Sequence, residues 1–235
     1  RIAILPNGLL LGAIRENLNG TLTTIPIIGM SNPVSDLNLG AGIYNYVARS
    51  CFGFLSCDSA YGTLQITSAG TWTSCQSGNL TTGCLGGTDS GTLHSLGGGM
   101  WQVLHGGTNI GTAIMLNSSG QNVVILDLKD TRIDGFGVGI VVGSSQQTMN
   151  AAQSNGTWVV ASTEGDWGVI SVSGNKISVL SVDGVPSTLT DPLLFNSPWA
   201  GFSVPLSGGH GLLAGTGVYA YEDTGGYAAI GIKIN

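Results

Sequence analysis

The chain has 235 residues, 39 of them Gly, with 42% hydrophobic and only 9% charged residues. Enough apolar side chain to bury a core, with so few charges, excludes intrinsic disorder, and glycines without a three-residue period exclude collagen. The formal charge is -6, and the seven Lys and Arg (Arg1, Arg15, Arg49, Lys129, Arg132, Lys176, Lys233) are scattered, which excludes a nucleic-acid-binding face and polybasic attachment to membranes.

Residues 1–40 carry apolar pieces interrupted by Pro6, Pro26 and Pro33. They predict an extended N-terminal arm packed on the domain, with one or two helical turns within Leu9 to Leu18. From Gly42 the pattern becomes strand and turn. Ile43 to Arg49 is strand-like, and Tyr61 to Thr67 and Thr71 to Cys75 flank the hairpin signal Ser68-Ala69-Gly70. Residues 76–98, rich in Gly, Ser and Thr, read as a long loop pinned by Cys75 and Cys84. Met100 to His105 and Gly111 to Leu116 are strands, and Asn117 to Gly120 turns into Gln121 to Leu128. The apolar run Val123 to Leu126 predicts a strand buried on both faces.

Phe136 to Val142 follows, then a polar loop over 143–155. Thr157 to Ala161, Trp167 to Val172 and Lys176 to Val182 are strands, the last two joined by the hairpin signal Ser173-Gly174-Asn175. Pro186, Pro192 and Pro198 mark a loop. Phe202 to Val204, Val218 to Tyr221 and Tyr227 to Ile234 close the chain, the last two hinged at Thr224-Gly225-Gly226. Roughly ten to thirteen strands with turns every eight to twelve residues predict an all-β fold, an antiparallel β-barrel or sandwich of about ten or more strands. The strands are assigned to a single domain over 41–235. No long amphipathic helix alternates with them, so parallel βαβ architecture is excluded.

One internal echo stands out. Gly62-Thr63-Leu64 precedes Gly70-Thr71-Trp72, and Gly156-Thr157-Trp158 precedes Gly165-Asp166-Trp167. The pairs read as two similar hairpins, each with a Gly at the turn and a Trp pointing into the barrel. The pattern is too sparse to define a propeller or solenoid.

Cys51, Cys57, Cys75 and Cys84 are even in number and separated by five, 17 and eight residues. The spacing lacks the close C-x-x-C pairs of a zinc site. It predicts two disulfides, with the local pairs Cys51–Cys57 and Cys75–Cys84 favoured among three connectivities, and hence an oxidising compartment. Sequons occur at Asn19, Asn79, Asn117 and Asn155. No apolar run is long enough for a transmembrane helix. A transmembrane barrel shares the strand alternation and low charge, but four Cys, three Pro between 186 and 198 and few aromatics count against it.

Signals for catalysis are weak. Asp89-Ser90-Gly91 and Asp223-Thr224-Gly225 resemble the paired triplets of aspartic proteases, but neither ends an apolar strand, and both read as turns. Ser90 cannot serve a trypsin-like triad, because His94, His105 and His210 all lie downstream of it. No G-x-S-x-G elbow occurs. No catalytic residue and no cofactor is therefore assigned.

Asp127, Asp130 and Asp134 form the densest acidic cluster, with Lys129 and Arg132 interleaved. It reads first as a solvated loop, and a cation site is the alternative. Glu164 and Asp166 flank Gly165 in a turn and lack the second partner that glycosidase chemistry needs. Five Trp are present. Trp72, Trp101 and Trp167 are the candidates for a ligand wall, against the alternative that they are core.

Gly98-Gly99-Met100-Trp101-Gln102-Val103, with the later Gly-Thr-Trp and Asp-Trp-Gly-Val pattern over 156–169, resembles uncharacterised secreted or lipid-anchored β-proteins of the proteobacterial envelope. The resemblance implies an envelope location, with membrane attachment only through a lipid anchor removed ahead of Arg1. It implies no activity and no site residue. The leading expectation is an extracytoplasmic, non-catalytic β-domain that binds a small apolar ligand, a glycan or a protein. The alternatives are a structural or adhesive surface protein, and a hydrolase whose site carries no recognisable motif.

Overall fold

A computed structural model describes residues 2–4, 9–18, 21–31, 33–52, 56–118, 121–129, 138–213, 215 and 217–235. The chain is all-β and antiparallel. It divides into two compact units, one of residues 32–147 with 224–226, the other of residues 1–31, 148–223 and 227–235.

The elements in chain order are β1 (Ile2–Ile4), β2 (Leu9–Leu18), β3 (Thr21–Met30), α1 (Leu37–Gly40), β4 (Gly42–Phe52), β5 (Ser56–Ile66), β6 (Thr71–Gln76), β7 (Thr88–Gly97), β8 (Met100–His105), β9 (Thr108–Ser118) and β10 (Gln121–Leu128). They continue with β11 (Val138–Ser145), α2 (Ala151–Ser154), β12 (Gly156–Ser162), β13 (Trp167–Ser173), β14 (Lys176–Val182), β15 (Val185–Pro186), β16 (Thr190–Phe195), β17 (Ser203–Pro205), β18 (His210–Leu213), β19 (Val218–Glu222) and β20 (Ala228–Lys233).

In the unit of residues 32–147, each strand from β4 to β11 pairs with the next, and β11 returns to pair with β4, Val142 opposite Val47. The result is a closed eight-stranded up-and-down barrel. Closure removes the free edges that invite aggregation. Alternate side chains point inward, so Tyr44, Ile66, Trp72, Trp101, Val103, Met115 and Val124 meet in one buried cluster. The run Val123 to Ile125 is buried on both faces, at 0%, 3% and 4% exposure, as its unbroken apolar sequence predicts.

The segment 33–41 closes one end of this barrel. Val34 N–H donates to the Met115 carbonyl at 2.7 Å, and the Trp101 indole donates to the Val34 carbonyl at 3.4 Å. Asp36 caps the single-turn helix α1 by accepting from Asn38 N–H at 2.9 Å. The Tyr44 hydroxyl donates to the Gly40 carbonyl. A Cβ on Gly40 would come within 2.6 Å of the Met115 sulfur, so only a bare glycine seats the plug this closely.

In the other unit, β12, β13, β14 and β16 to β20 form a second meander, which the β13–β14 pairing closes into an eight-stranded ring; β15 pairs with β14 as a side ribbon. Trp158, Val160, Ile170, Val172, Leu213 and Tyr219 pack in its interior, joined by partly buried Phe195, Tyr221 and Tyr227. This barrel also begins with a capped single turn. Asn150 and Gln153 form a capping box on α2, and the Trp158 indole donates to the Ser154 carbonyl at 3.2 Å. β1, β2 and β3 form a separate three-stranded sheet in the same unit, and β2 packs on β12 and β20.

Four expectations change. The single domain over 41–235 is two closed barrels, because evenly spaced turns do not mark where one ring of hydrogen bonds closes and the next begins. The arm contains a hairpin in unbroken register, from Leu9 opposite Met30 to Leu18 opposite Thr21. Leu9 to Leu18 is accordingly a strand, since ladder pairing outweighs a weak local helical tendency. The expected loop over 76–98 yields β7, whose polar residues face outward or line the barrel's rim. Phe136 and most of the 129–137 connection lie outside the described residues.

Candidate functional site: the cavity of the first barrel

The plugged barrel of residues 32–147 contains a cavity of about 380 Å³, a size at the small end of ligand pockets. Its body is apolar, formed by Leu64, Ile66, Leu93, Val103, Val124 and Leu126. The strand pattern explains this: each of these residues occupies an inward position of its strand, and their outward neighbours are a different set.

Polar groups gather toward the end away from α1. Ser50 on β4 stands opposite Asp58 on β5, and Ser74 on β6 stands opposite Asp89 on β7. Both pairs line the cavity, with Ser59 and Gln76. Ser59 Oγ is buried and has no hydrogen-bond partner among the described residues. Tyr46 lies deeper, one turn of the pleat inward from Ala48, and is 7% exposed. Burial pushes its hydroxyl well above the usual phenol range, and the Asp89 charge adds to the shift. It is therefore a neutral phenol at physiological pH.

Both disulfides brace the rim. Cys51–Cys57 ties the paired ends of β4 and β5, and Cys75–Cys84 ties the end of β6 to the following loop. No free cysteine remains, so the favoured pairing holds, and two disulfides accord with an oxidising environment. Arg49 reaches from β4 to donate to the Gly226 carbonyl, within the same unit.

The three candidate Trp fall in different places. Trp72 lines the cavity, and its indole donates to the Leu104 carbonyl at 3.1 Å. That indole lies over Gly91, where a Cβ would approach it within 2.8 Å. Trp101 is inward but sits in the core beside the plug, bonded to Val34. Trp167 pairs with Ala161, one residue out of step with the inward Val160, so it lies off the interior face of the second barrel. Trp158, part of the second echoed hairpin, is fully buried inside that barrel.

The acidic cluster does not assemble as a site. Asp127 is exposed on the outer face of β10, alternating with the inward Leu126 and Leu128, while Asp130 and Asp134 lie outside the described residues. Among the described residues no group of three or more potential metal ligands occurs. Glu164 and Asp166 sit in the turn between β12 and β13, where their backbone N–H groups donate to Ser162 Oγ.

The two acids of the protease-like triplets, Asp89 and Asp223, fall in different units. Asp223 accepts from Tyr227 N–H at 3.0 Å and caps its hairpin. Asp89 is not on a loop but begins β7 and faces the cavity. The rim carboxylates were thus hidden from sequence reading. Asp58 carries no motif, and Asp89 was conspicuous only as part of a triplet. The usable signal was strand parity, which places Asp58 in phase with Ala60, Leu64 and Ile66.

No family model matches the chain, and no curated protein matches it. Among solved structures it is similar to a protein with unknown function from the DUF3598 family, from Nostoc punctiforme, at 11% identity over 84% of this chain and 97% of that one, with a TM-score of 0.26. An overlap this loose carries no argument about function.

Proposed function

We propose that the first barrel is a non-catalytic receptor for a small apolar ligand, working in an extracytoplasmic, oxidising compartment such as the cell envelope. The observation that carries this reading is the cavity of about 380 Å³, apolar in its body and closed at one end by the 33–41 plug. A barrel kept for strength alone would fill that volume with side chains, since unfilled space costs packing energy. The location rests on the two disulfides.

The test is binding of the neutral fluorophore N-phenylnaphthylamine to the whole chain. Saturable enhancement is expected, and Ala60→Trp, which fills the cavity from an inward position on β5, should remove it while preserving the folded far-UV spectrum. Absence of saturable binding, or binding indifferent to Ala60→Trp in a folded variant, would overturn the proposal.

A further inference from the structure

We infer that the ligand of the first barrel is an amphipathic amine: an apolar chain carrying a cationic head group. The inference rests on the receptor reading above and specifies its chemistry. Among the described residues that line the cavity, the only ionisable groups at neutral pH are Asp58 and Asp89, and no Lys, Arg or His is among them. Lipid-binding cavities that take carboxylates need a cation or an array of donors to receive the head group; this rim offers two carboxylates instead. A fatty acid entering with its head at the rim would meet like charge. An alkylammonium would meet opposite charge.

The remaining polar groups agree with that polarity. Ser50, opposite Asp58, and Ser74, opposite Asp89, line the cavity with hydroxyl oxygens that accept hydrogen bonds. The ammonium carries three N–H donors, enough for one carboxylate and the serine hydroxyl opposite it. The aromatic rings of Tyr46 and Trp72 line the same wall and add a surface on which cations are stabilised. The closed end is apolar around Met115, Ile66 and Val124, so the chain enters tail first and leaves the charge at the rim. The whole chain, at a formal charge of -6, draws cations toward it.

The experiment displaces N-phenylnaphthylamine with decylamine, decanol and decanoate, matched in chain length and differing in head-group charge. Decylamine should bind most tightly and decanoate least. Added salt should weaken decylamine binding and leave decanol's place unaltered. Asp58→Asn and Asp89→Asn should each lower the decylamine-to-decanol affinity ratio by about three- to fivefold, as for partly exposed ion pairs. Equal affinities for the three head groups, or a ratio unmoved in both variants and by salt, would overturn the amine assignment while leaving the receptor reading intact. Failure of all three compounds and of the fluorophore to bind would overturn both.

Discussion

Trp158 donates its indole N–H to the carbonyl of Ser154, four residues back, at 3.2 Å. Tyr44 does the same with its hydroxyl to the Gly40 carbonyl, also four residues back. Both aromatics are fully buried, and each is the third residue of the first strand of its barrel. Before each lies a four-residue helix capped by an Asx side chain, Asp36 in one case and Asn150 in the other. The order of cap, helix, glycine-led strand and aromatic is the same in both, without insertion. The two barrels are therefore started by one device, in which the aromatic satisfies the helix's last free carbonyl and occupies the closed end.

The first prediction follows from that bond. Trp158→Ala should cost about 3–5 kcal/mol, the usual penalty for emptying a large buried site. Tyr44→Phe keeps the ring and should cost about 1–2 kcal/mol for the lost hydrogen bond. Denaturant melts of the whole chain measure both, and an unchanged midpoint for Trp158→Ala would remove Trp158 from the core.

A second prediction concerns the bridges. Peptide mapping without reductant should recover Cys51–Cys57 and Cys75–Cys84 and no free thiol. Replacing either pair by Ala should destabilise by about 2–3 kcal/mol, because each bridge closes a short loop in the unfolded chain. Alkylation at two or more cysteines of the native protein would refute the pairing.

The buried tyrosines give a third prediction. Burial raises the Tyr44 hydroxyl from 10.0 to about 12, and Tyr221 likewise to about 12. A raised folded value means that the unfolded chain releases its protons first. Their contribution to stability is thus complete below pH 10 and is lost as pH rises from 10 toward 12. The melting temperature should fall through that window, and tyrosinate absorbance should lag behind that of the unfolded chain. Coincident titration in native and unfolded protein would contradict the burial of these rings.

Asp89→Asn provides a fourth, independent measurement. It removes the smaller of the two influences on Tyr46 and leaves burial, the larger, in place. Tyr46 should therefore titrate at lower pH in the variant, while remaining above the ordinary tyrosine range. A Tyr46 titration that does not move would separate Asp89 from the cavity wall.

The all-β class and the disulfide pairs were legible because both rest on local signals, namely turn residues and cysteine spacing. The hairpins at Ser68-Ala69-Gly70 and Ser173-Gly174-Asn175 occur where the turn chemistry puts them. The division into two barrels was not legible, because it depends on β11 returning to β4 and on β13 meeting β14. The echo of 62–64 with 70–72 and of 156–158 with 165–167 did mark one hairpin in each barrel, β5–β6 and β12–β13, with Trp72 and Trp158 inside. Trp167 broke the analogy: it stands nine residues after Trp158, where Trp72 stands eight after Leu64, and the odd spacing puts it on the other face. The site was hidden for a related reason. A cavity is the space that side chains leave unfilled, and small residues such as Ala48, Ala60 and Ala113 announce nothing until the strands are closed around them.

The N-terminal sheet has a consequence for the order in which the molecule is made. β2 packs on β12 and β20, which are synthesised after the whole first barrel has emerged. The first barrel draws its strands from one uninterrupted stretch, and only residues 224–226 join its unit from elsewhere. A ribosome delivering this chain therefore hands over β1 to β3, then a ring that can close by itself, and then the strands on which β2 packs. The packing of β2 on β12 and β20 is therefore the last step of the fold to become possible, after the first barrel can already have closed.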